Sequence, residues 1–359
     1  MNKTLLKAAG QFTPRQSIQT ITPLGNGLIN DTFLVETASD SFVLQRINAG
    51  VFPQPQLVIH NLAKLNRHIR QKPRDSVKLS IPELLLTQAG RPFYQDDEQQ
   101  VWRSLELIQP AESREQIHID TEAAQVGFAL AHFHRLCSDL PADSLHDTLP
   151  GFHITPSYFQ RYRQLLAEPL TVEKDPAFLK CEVFIHAHHN RLDVLELAKR
   201  RGALPIRVIH GDPKLNNFLF LPGSEQIISL IDLDTVKPGL LHYDIGDCIR
   251  SCCRNKQDNS FNLAHCQIIL QHYLQEAGDF FTASDYDYLY AAIWLIPFEL
   301  GLRFFSDYLA GNPYFKVSEP KQNLVRALGQ FTFCESIHNQ QESLFSCIQA
   351  LKNSYRVKT

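Results

Sequence analysis

Residues 207–234 read RVIHGDPKLNNFLFLPGSEQIISLIDLD, and this stretch decides the fold. Val208 and Ile209 end an apolar strand that delivers His210-Gly211-Asp212. Asn217 follows Asp212 five residues on, and Asp232 closes a second apolar strand, residues 227–231. A lone His-Gly-Asp reads equally well as a turn, because Gly and Asp form turns whatever the function. An acid at the mouth of an Ile/Leu strand, however, has no packing reason to be there. Asp, then Asn, then Asp in this order is what kinase-like phosphoryl transfer needs. One carboxylate orients an attacking hydroxyl and accepts its proton, while an amide oxygen and a second carboxylate hold Mg2+ on the nucleotide phosphates. Lys214, two residues past Asp212, can reach the transferring phosphate. Asp212 and Lys214 are therefore the candidate catalytic residues, and Asn217 and Asp232 the candidate metal ligands.

Upstream, residues 18–24, 30–36 and 41–47 read as three strands, rich in apolar and β-branched residues with punctuation between them. The first connection, Gly25-Asn26-Gly27-Leu28-Ile29-Asn30, carries two glycines that let backbone N–H groups approach phosphate oxygens closely. Gly-Asn-Gly is also an ordinary hairpin turn. With the Asp/Asn/Asp set present, Gly25, Gly27 and Asn30 are candidate nucleotide contacts. The third strand should carry a cation for the α- and β-phosphates. It holds no Lys, and Arg46 is its one candidate, with period-2 alternation deciding which face it takes. A helix over 57–70 and strands over 82–86 and 100–108 complete a five-stranded antiparallel sheet with one helix. The backbone of Glu106 to Ile108 then falls where two lobes join and can hydrogen-bond an adenine edge. From residue 120 the hydrophobic period changes from 2 to 3.6. Helices are expected over 123–137, 156–168, 174–200, 261–277, 284–305 and 319–352, with Asp244 capping another that runs through Ile249. The expected fold is α+β and bilobal, protein-kinase-like, with an antiparallel N-lobe sheet in 1–108 and an α-rich C-lobe in 109–359.

The 359 residues suit two unequal lobes, and 44% hydrophobic with 20% charged residues describes a globular chain. A net charge of −3 leaves no basic footprint for nucleic acid. The N-terminal apolar run is too short for a signal segment, and no stretch reads as a membrane span, so the cytoplasm is the expected location. The eight cysteines form no C-x-x-C pair and read as buried, reduced thiols. His186, His188 and His189 cluster without a second group at zinc-like spacing and read as a solvated helix face.

His210-Gly211-Asp212 with Asn217, then Ile231-Asp232, then Tyr243-Asp244, resembles the aminoglycoside phosphotransferase and choline kinase superfamily over roughly residues 20–320. Within it, Gly27 to Phe33, Leu44 to Asn48, His210 to Phe220, Ile231 to Val236 and Leu302 to Leu309 look most similar to the N-acetylhexosamine 1-kinases. The resemblance implies ATP and Mg2+ as cofactors and the anomeric hydroxyl of GlcNAc or GalNAc as acceptor. It implies Asp212 as base, Asn217 and Asp232 as magnesium ligands, and Arg303 and Tyr314 as sugar contacts.

Glu299, Arg303 and Asp307 punctuate an apolar helix at four-residue spacing and share a face. They either line an acceptor cleft or pair with one another. Asp234 is either a magnesium-supporting acid or a sugar-hydroxyl contact. Asp244 is read as bracing the catalytic loop through its backbone N–H groups. Gly211 stands where regulated protein kinases carry an Arg, and eleven residues separate Asp232 from Asp244. That leaves no room for a long activation segment, so a constitutively competent small-molecule kinase is expected. The competing readings are a kinase of choline, ethanolamine, homoserine, another sugar or an aminoglycoside, and a non-catalytic nucleotide-binding protein on a kinase fold. Oligomeric state is not legible.

Overall fold

The computed structural model describes residues 3–25, 29–169 and 172–355. After a short helix α1 (Lys3–Ala9), the first lobe is an antiparallel sheet. Its strands are β1 (Ile18–Pro23), β2 (Asp31–Thr37), β3 (Ser41–Ile47), β4 (Leu84–Leu85), β5 (Tyr94–Gln95) and β6 (Val101–Glu106). They run in the order β1-β2-β3-β6-β4, with β5 also on β6. Six strands replace the five expected. The segment expected as a strand over 82–86 keeps only two ladder residues, and Tyr94–Gln95 adds a strand that its polar surroundings hid.

The alternation of this sheet builds two different faces. Phe42, Leu44 and Trp102 pack outward with Val35 under Ala8 and Ala9 of α1, a small core of their own. Register places Thr32, Gln45 and Arg103 side by side on the opposite face, with Leu34, Val43 and Leu105 beside them. The helix α2 (Pro55–Arg70) starts on a proline, which has no N–H to waste in a first turn. It buries Val58, Ile59, Leu62, Leu65 and Ile69 in the main core, which also takes Ile47, Leu84 and Val101 from the sheet, so α2 joins the sheet to the second lobe.

The second lobe is mainly helical. It contains α3 (Asp120–Cys137), α4 (Thr155–Leu166), α5 (Pro176–His188), α6 (Val194–Arg200), α7 (Leu241–Cys252), α8 (Leu263–Ala277), α9 (Ala283–Asp287), α10 (Leu289–Leu309), α11 (Gln322–Asn339) and α12 (Gln341–Tyr355). Three helices expected to be continuous are broken, the one over 284–305 dividing into α9 and α10 at Tyr288. Residues 174–200 divide into α5 and α6 around a tight turn at His189–Arg191, and 319–352 divide into α11 and α12 at Gln340. Short strands carry the loops between: β7 (Glu112–Ser113), β8 (Arg207–Ile209), β9 (Phe218–Phe220), β10 (Ile227–Leu230) and β11 (Lys237–Gly239). β10, β9 and β7 form one ribbon, and β11 pairs with β8.

α10 corrects one sequence expectation. With 21 residues and a mean hydropathy of 1.3 in its most apolar stretch, it is long and apolar enough to cross a membrane. Two thirds of that stretch is buried within the lobe, where α10 packs against α7 and α11, so the apolarity belongs to the core. Of the eight thiols, all unpaired, seven are buried and Cys347 is partly so. His186 and His189 are exposed, while His188 turns edge-on to Trp294.

Candidate active site

β8 ends in a fully buried His210, whose Nε2 lies 2.9 Å from the Ile231 carbonyl and whose ring packs edge-on against Phe133. Burial pushes this imidazole below its ordinary pKa, although Asp244 and Asp212 partly oppose the shift, so the ring is a neutral structural piece. Gly211 follows at φ 89°, a left-handed conformation that glycine adopts freely. A Cβ there would stand 2.6 Å from the Thr235 carbonyl oxygen, so space and conformation both require glycine.

Asp244 holds this turn. The Gly211 N–H donates to its Oδ1 at 2.8 Å and the His210 N–H to its Oδ2 at 2.7 Å. His134 touches the same Oδ2 at 2.8 Å and is held in turn by the Tyr273 hydroxyl. The expected bracing role is therefore present in the geometry. The expected helix cap is not: α7 starts at Leu241, and Asp244 lies inside its first turn with its carboxylate spent on the catalytic loop.

Asp212 emerges from this braced turn with its side chain 25% exposed to the cleft. Lys214 donates to its Oδ2 at 2.6 Å and lies 3.8 Å from Asp232 Oδ2. Burial works against the Lys214 charge, but Asp212 and Asp232 outweigh it and raise the lysine above its ordinary range. Asn217 is buried and donates from Nδ2 to the Asp212 carbonyl at 2.7 Å, which leaves Oδ1 as the side chain's acceptor. Asp232 adopts a left-handed conformation, φ 64° and ψ 57°, at the end of β10. Its carboxylate is 43% exposed at the cleft, but the site around it is partly enclosed and desolvates it. This enclosure pushes it up to about 6, with Asp234 and Asp212 adding to the rise and Lys214 opposing it.

The structure thus brings Asp212, Lys214, Asn217 and Asp232 together. One amide oxygen and one carboxylate suit a hard cation that takes oxygen ligands and keeps phosphates and water for the rest of its shell. No group of three or more His, Cys, Asp or Glu side chains that could hold a metal ion exists among the described residues, so a cation here would need those extra ligands.

The expected nucleotide contacts divide. Gly25 is exposed at φ 70°, and Gly27 lies outside the described residues. Asn30 reaches across the lobes to donate from Nδ2 to Asp234 Oδ2 at 2.6 Å, while its Oδ1 accepts from Asn48 N–H. Glu106 N–H is engaged by the Glu83 carbonyl at 2.9 Å, whereas no backbone group among the described residues accepts from Ile108 N–H. Arg46 points to the outer face of the sheet, bound to Asp31 and lying 5.8 Å over the Trp102 ring. Alternation sends it away from the cleft.

The inward cation is Arg103 on β6, which sequence reasoning missed. It bonds Gln45 Oε1 at 2.7 Å and pairs with Asp234 Oδ1 on the other lobe, both side chains 2% exposed. Its Nη1 has no hydrogen-bond partner among the described residues. A charged residue within the apolar strand Val101–Glu106 was the available signal, since a buried arginine requires a partner. Asp234 spends Oδ1 on Arg103, Oδ2 on Asn30 and its carbonyl on Thr148, so it fastens the lobes together and does not open onto an acceptor.

Arg303 lies on α10 without an acidic partner. Glu299 instead accepts from Thr155, and Asp307 accepts from the backbone of Tyr314 and Phe315. The guanidinium sits over three rings: Phe152 at 5.0 Å, Tyr158 at 5.2 Å and Phe315 at 5.5 Å. Burial opposes its charge, but Tyr158, Glu299, Tyr314 and Asp212 hold it above its ordinary value, which also places Arg303 in electrostatic reach of the catalytic acid. Tyr314 is 49% exposed beside Phe315.

Comparison with known proteins agrees with this geometry. The pattern defining the phosphotransferase enzyme family (APH) matches residues 20–278, well over half of the chain. The chain belongs to this family. Solved structures share the fold of this phosphotransferase. An aminoglycoside phosphotransferase from Alicyclobacillus acidocaldarius superposes with a TM-score of 0.64 at 16% identity, covering 97% of this chain and 96% of its own. A microcompartment-associated aminopropanol kinase gives 0.65 at 17%, covering 95% and 98%. An amicoumacin kinase solved with AMP-PNP, Ca2+ and Ami gives 0.60 at 15%, covering 94% and 93%. The bilobal α+β architecture and a small-molecule phosphotransferase activity follow; the acceptor is a separate question.

Proposed function

We propose that this phosphotransferase is an ATP- and Mg2+-dependent kinase that phosphorylates the anomeric hydroxyl of an N-acetylhexosamine, GlcNAc or GalNAc, to the sugar 1-phosphate. Arg303 carries the reading. Among the described residues its donors meet no carboxylate, its charge rests on an aromatic cage, and it lies within electrostatic reach of Asp212. Guanidinium N–H groups recognise oxygen, and their positive charge repels a quaternary or primary amine. That supports a neutral, oxygen-rich acceptor over choline, ethanolamine or an aminoglycoside. Tyr314 and Phe315 supply rings beside it, suited to the apolar face of a sugar.

In the reaction, Asp212 orients the anomeric hydroxyl and takes its proton as the oxygen attacks the γ-phosphorus. The bond from that phosphorus to the β–γ bridging oxygen breaks, and ADP leaves with the electron pair. Lys214 offsets charge on the transferring group. Asn217 and Asp232 would hold the magnesium, which when bound neutralises charge on the phosphate oxygens. Arg103, with an unpartnered Nη1 on the cleft-facing side of the sheet, is better placed than Arg46 to meet the nucleotide phosphates. A cytoplasmic setting, with ATP available and thiols kept reduced, suits this chemistry.

The test is a coupled ADP-release screen over hexosamines, neutral hexoses, aminopropanol, choline and aminoglycosides. Turnover is expected with an N-acetylhexosamine and is expected to fall about 10²–10⁴-fold in Asp212→Asn, the usual cost of losing a general base. Turnover restricted to an amine alcohol would overturn the acceptor, and full activity in Asp212→Asn would overturn the mechanism.

A further inference from the structure

We propose that His153 is a positioning residue of the phosphotransfer reaction, fastening the peptide that leads into Asp212 to the helix that carries Arg303. His153 belongs to no motif and lies far from the catalytic loop in sequence. In the fold it is 3% exposed, with Nε2 2.7 Å from the Gly211 carbonyl oxygen and Nδ1 3.3 Å from Glu299 Oε1. Gly211 is the residue before Asp212, and Glu299 stands one helical turn before Arg303 on α10. One imidazole therefore spans the base-bearing loop and the acceptor-bearing helix.

Three observations separate this from an ordinary core histidine. The backbone at His153 is left-handed, φ 67°, a conformation that is costly for a non-glycine residue and persists only where the surroundings enforce it. Its ring lies between Phe152, with centroids 4.0 Å apart, and Tyr243 at 5.4 Å, so the plane aimed at Gly211 is fixed. Glu299 is 1% exposed and accepts only the Thr155 hydroxyl besides facing His153, so its buried carboxylate needs a cation.

The charged and titratable groups facing His153 are Glu299 from α10, and Asp247 and Tyr243 from α7, with the Gly211 carbonyl from the loop. Asp247 also pairs with Arg250. Burial alone favours the neutral ring, but Glu299, Asp247 and the Gly211 carbonyl outweigh it and raise the pKa above its ordinary value. The sign follows from the rise. The doubly protonated ring, donating to Gly211 while facing Glu299 as a cation, is intact at lower pH. It is lost as the pH climbs through that raised value, after which one nitrogen has no proton to offer.

The inference rests on phosphotransfer at Asp212 and not on the choice of sugar. Three readouts test it: kcat and KM against pH with whichever acceptor turns over, acceptor-free ATP hydrolysis, and NMR titration of the His153 imidazole, which needs no turnover. Wild type is expected to lose kcat on the alkaline side as the His153 ring titrates. His153→Gln should lower kcat about 10–100-fold, the scale of a small misplacement of reacting groups. It should leave the KM for ATP nearly unchanged and abolish the alkaline limb. Glu299→Gln should move both the limb and the NMR titration to lower pH. A ring already neutral in mild acid would overturn the proposal. So would a His153→Gln enzyme with the wild-type pH profile, or one whose melting temperature falls while the alkaline limb stays in place. Failure of every hexosamine alongside a titrating His153 would sink the acceptor assignment alone.

Discussion

Asp234→Asn isolates the tie between the lobes. In the folded protein Arg103 and Asp234 are each 2% exposed, and Asp234 spends one carboxylate oxygen on Arg103 and the other on Asn30. The asparagine keeps the shape and removes the charge. Its amide nitrogen must then face either the Arg103 guanidinium or Asn30 Nδ2, a donor against a donor. Removing one partner of a buried pair leaves an uncompensated charge and costs about 3–5 kcal/mol. At about 2–4 °C per kcal/mol for a large domain, the melting temperature should fall by about 6–20 °C. Because Asp234 follows Asp232 by two residues, the metal-binding turn loosens with it. The KM for ATP should rise by about tenfold, equivalent to about 1.4 kcal/mol, while the KM for the acceptor changes little. Thermal denaturation followed by circular dichroism reads the first effect, and steady-state kinetics read the second. The stronger check is the cycle with Arg103→Met. Two residues sharing one buried bond should couple by about 2–3 kcal/mol, so the double variant should be more stable than the sum of the singles predicts. Additive losses, or an Asp234→Asn protein that melts like wild type, would refute the reasoning.

Gly211→Ala should cost about 1–3 kcal/mol of stability in chemical denaturation, because it forces a left-handed conformation on a residue whose Cβ meets the Thr235 carbonyl. Activity should fall with it, because the same peptide carries Asp212. Arg303→Met keeps the fit to the aromatic cage and removes the donors. It should raise the KM for the sugar tenfold or more, about 1.4 kcal/mol, with the KM for ATP unchanged in the same assay. Burial pushes the thiol of Cys181 up to about 12 and that of half-buried Cys347 up to about 11. A colorimetric thiol reagent at mildly alkaline pH should therefore label Cys347 slowly at most in the native protein, and all eight cysteines after denaturation.

The catalytic loop was legible because its chemistry is local. Asp212, Lys214 and Asn217 lie within six consecutive residues, and Asp232 ends the next strand, so a correct reading of two short strands brings all four together. Arg103 and Asp234 were not legible as a pair, because only the folding of one lobe onto the other makes them neighbours. Arg46 shows the limit from the other side. Alternation along β3 was readable, but which face meets the cleft depends on α1 covering Phe42, Leu44 and Trp102, and that helix left no clear sequence signal. The helix breaks near 190 and 340 were hidden for a similar reason. Neither contains proline or glycine, so the tight turns come from tertiary packing and not from a local breaker.

The elements that switch regulated kinases are tied down here by ordinary hydrogen bonds. The chain from Asp232 to Asp244 holds no free loop: Leu233–Thr235 is one tight turn, and β11 pairs with β8 residue for residue. Lys237 anchors that strand by donating to Asp147 and to the carbonyls of Leu149 and Phe152. α2 is fixed from the other side, where Asn61 donates to the carbonyls of Val236 and His146 and accepts from His146 N–H. An inward swing of α2 or a refolding of this segment would strand these buried groups at about 1–3 kcal/mol each. With five or six such bonds to break at once, an open inactive state would hold a negligible share of the population in the absence of a partner that binds it selectively. The catalytic groups are therefore set before any substrate arrives. The Arg103–Asp234 pair already fastens one lobe to the other, so turnover should follow nucleotide and acceptor concentration without any covalent switch.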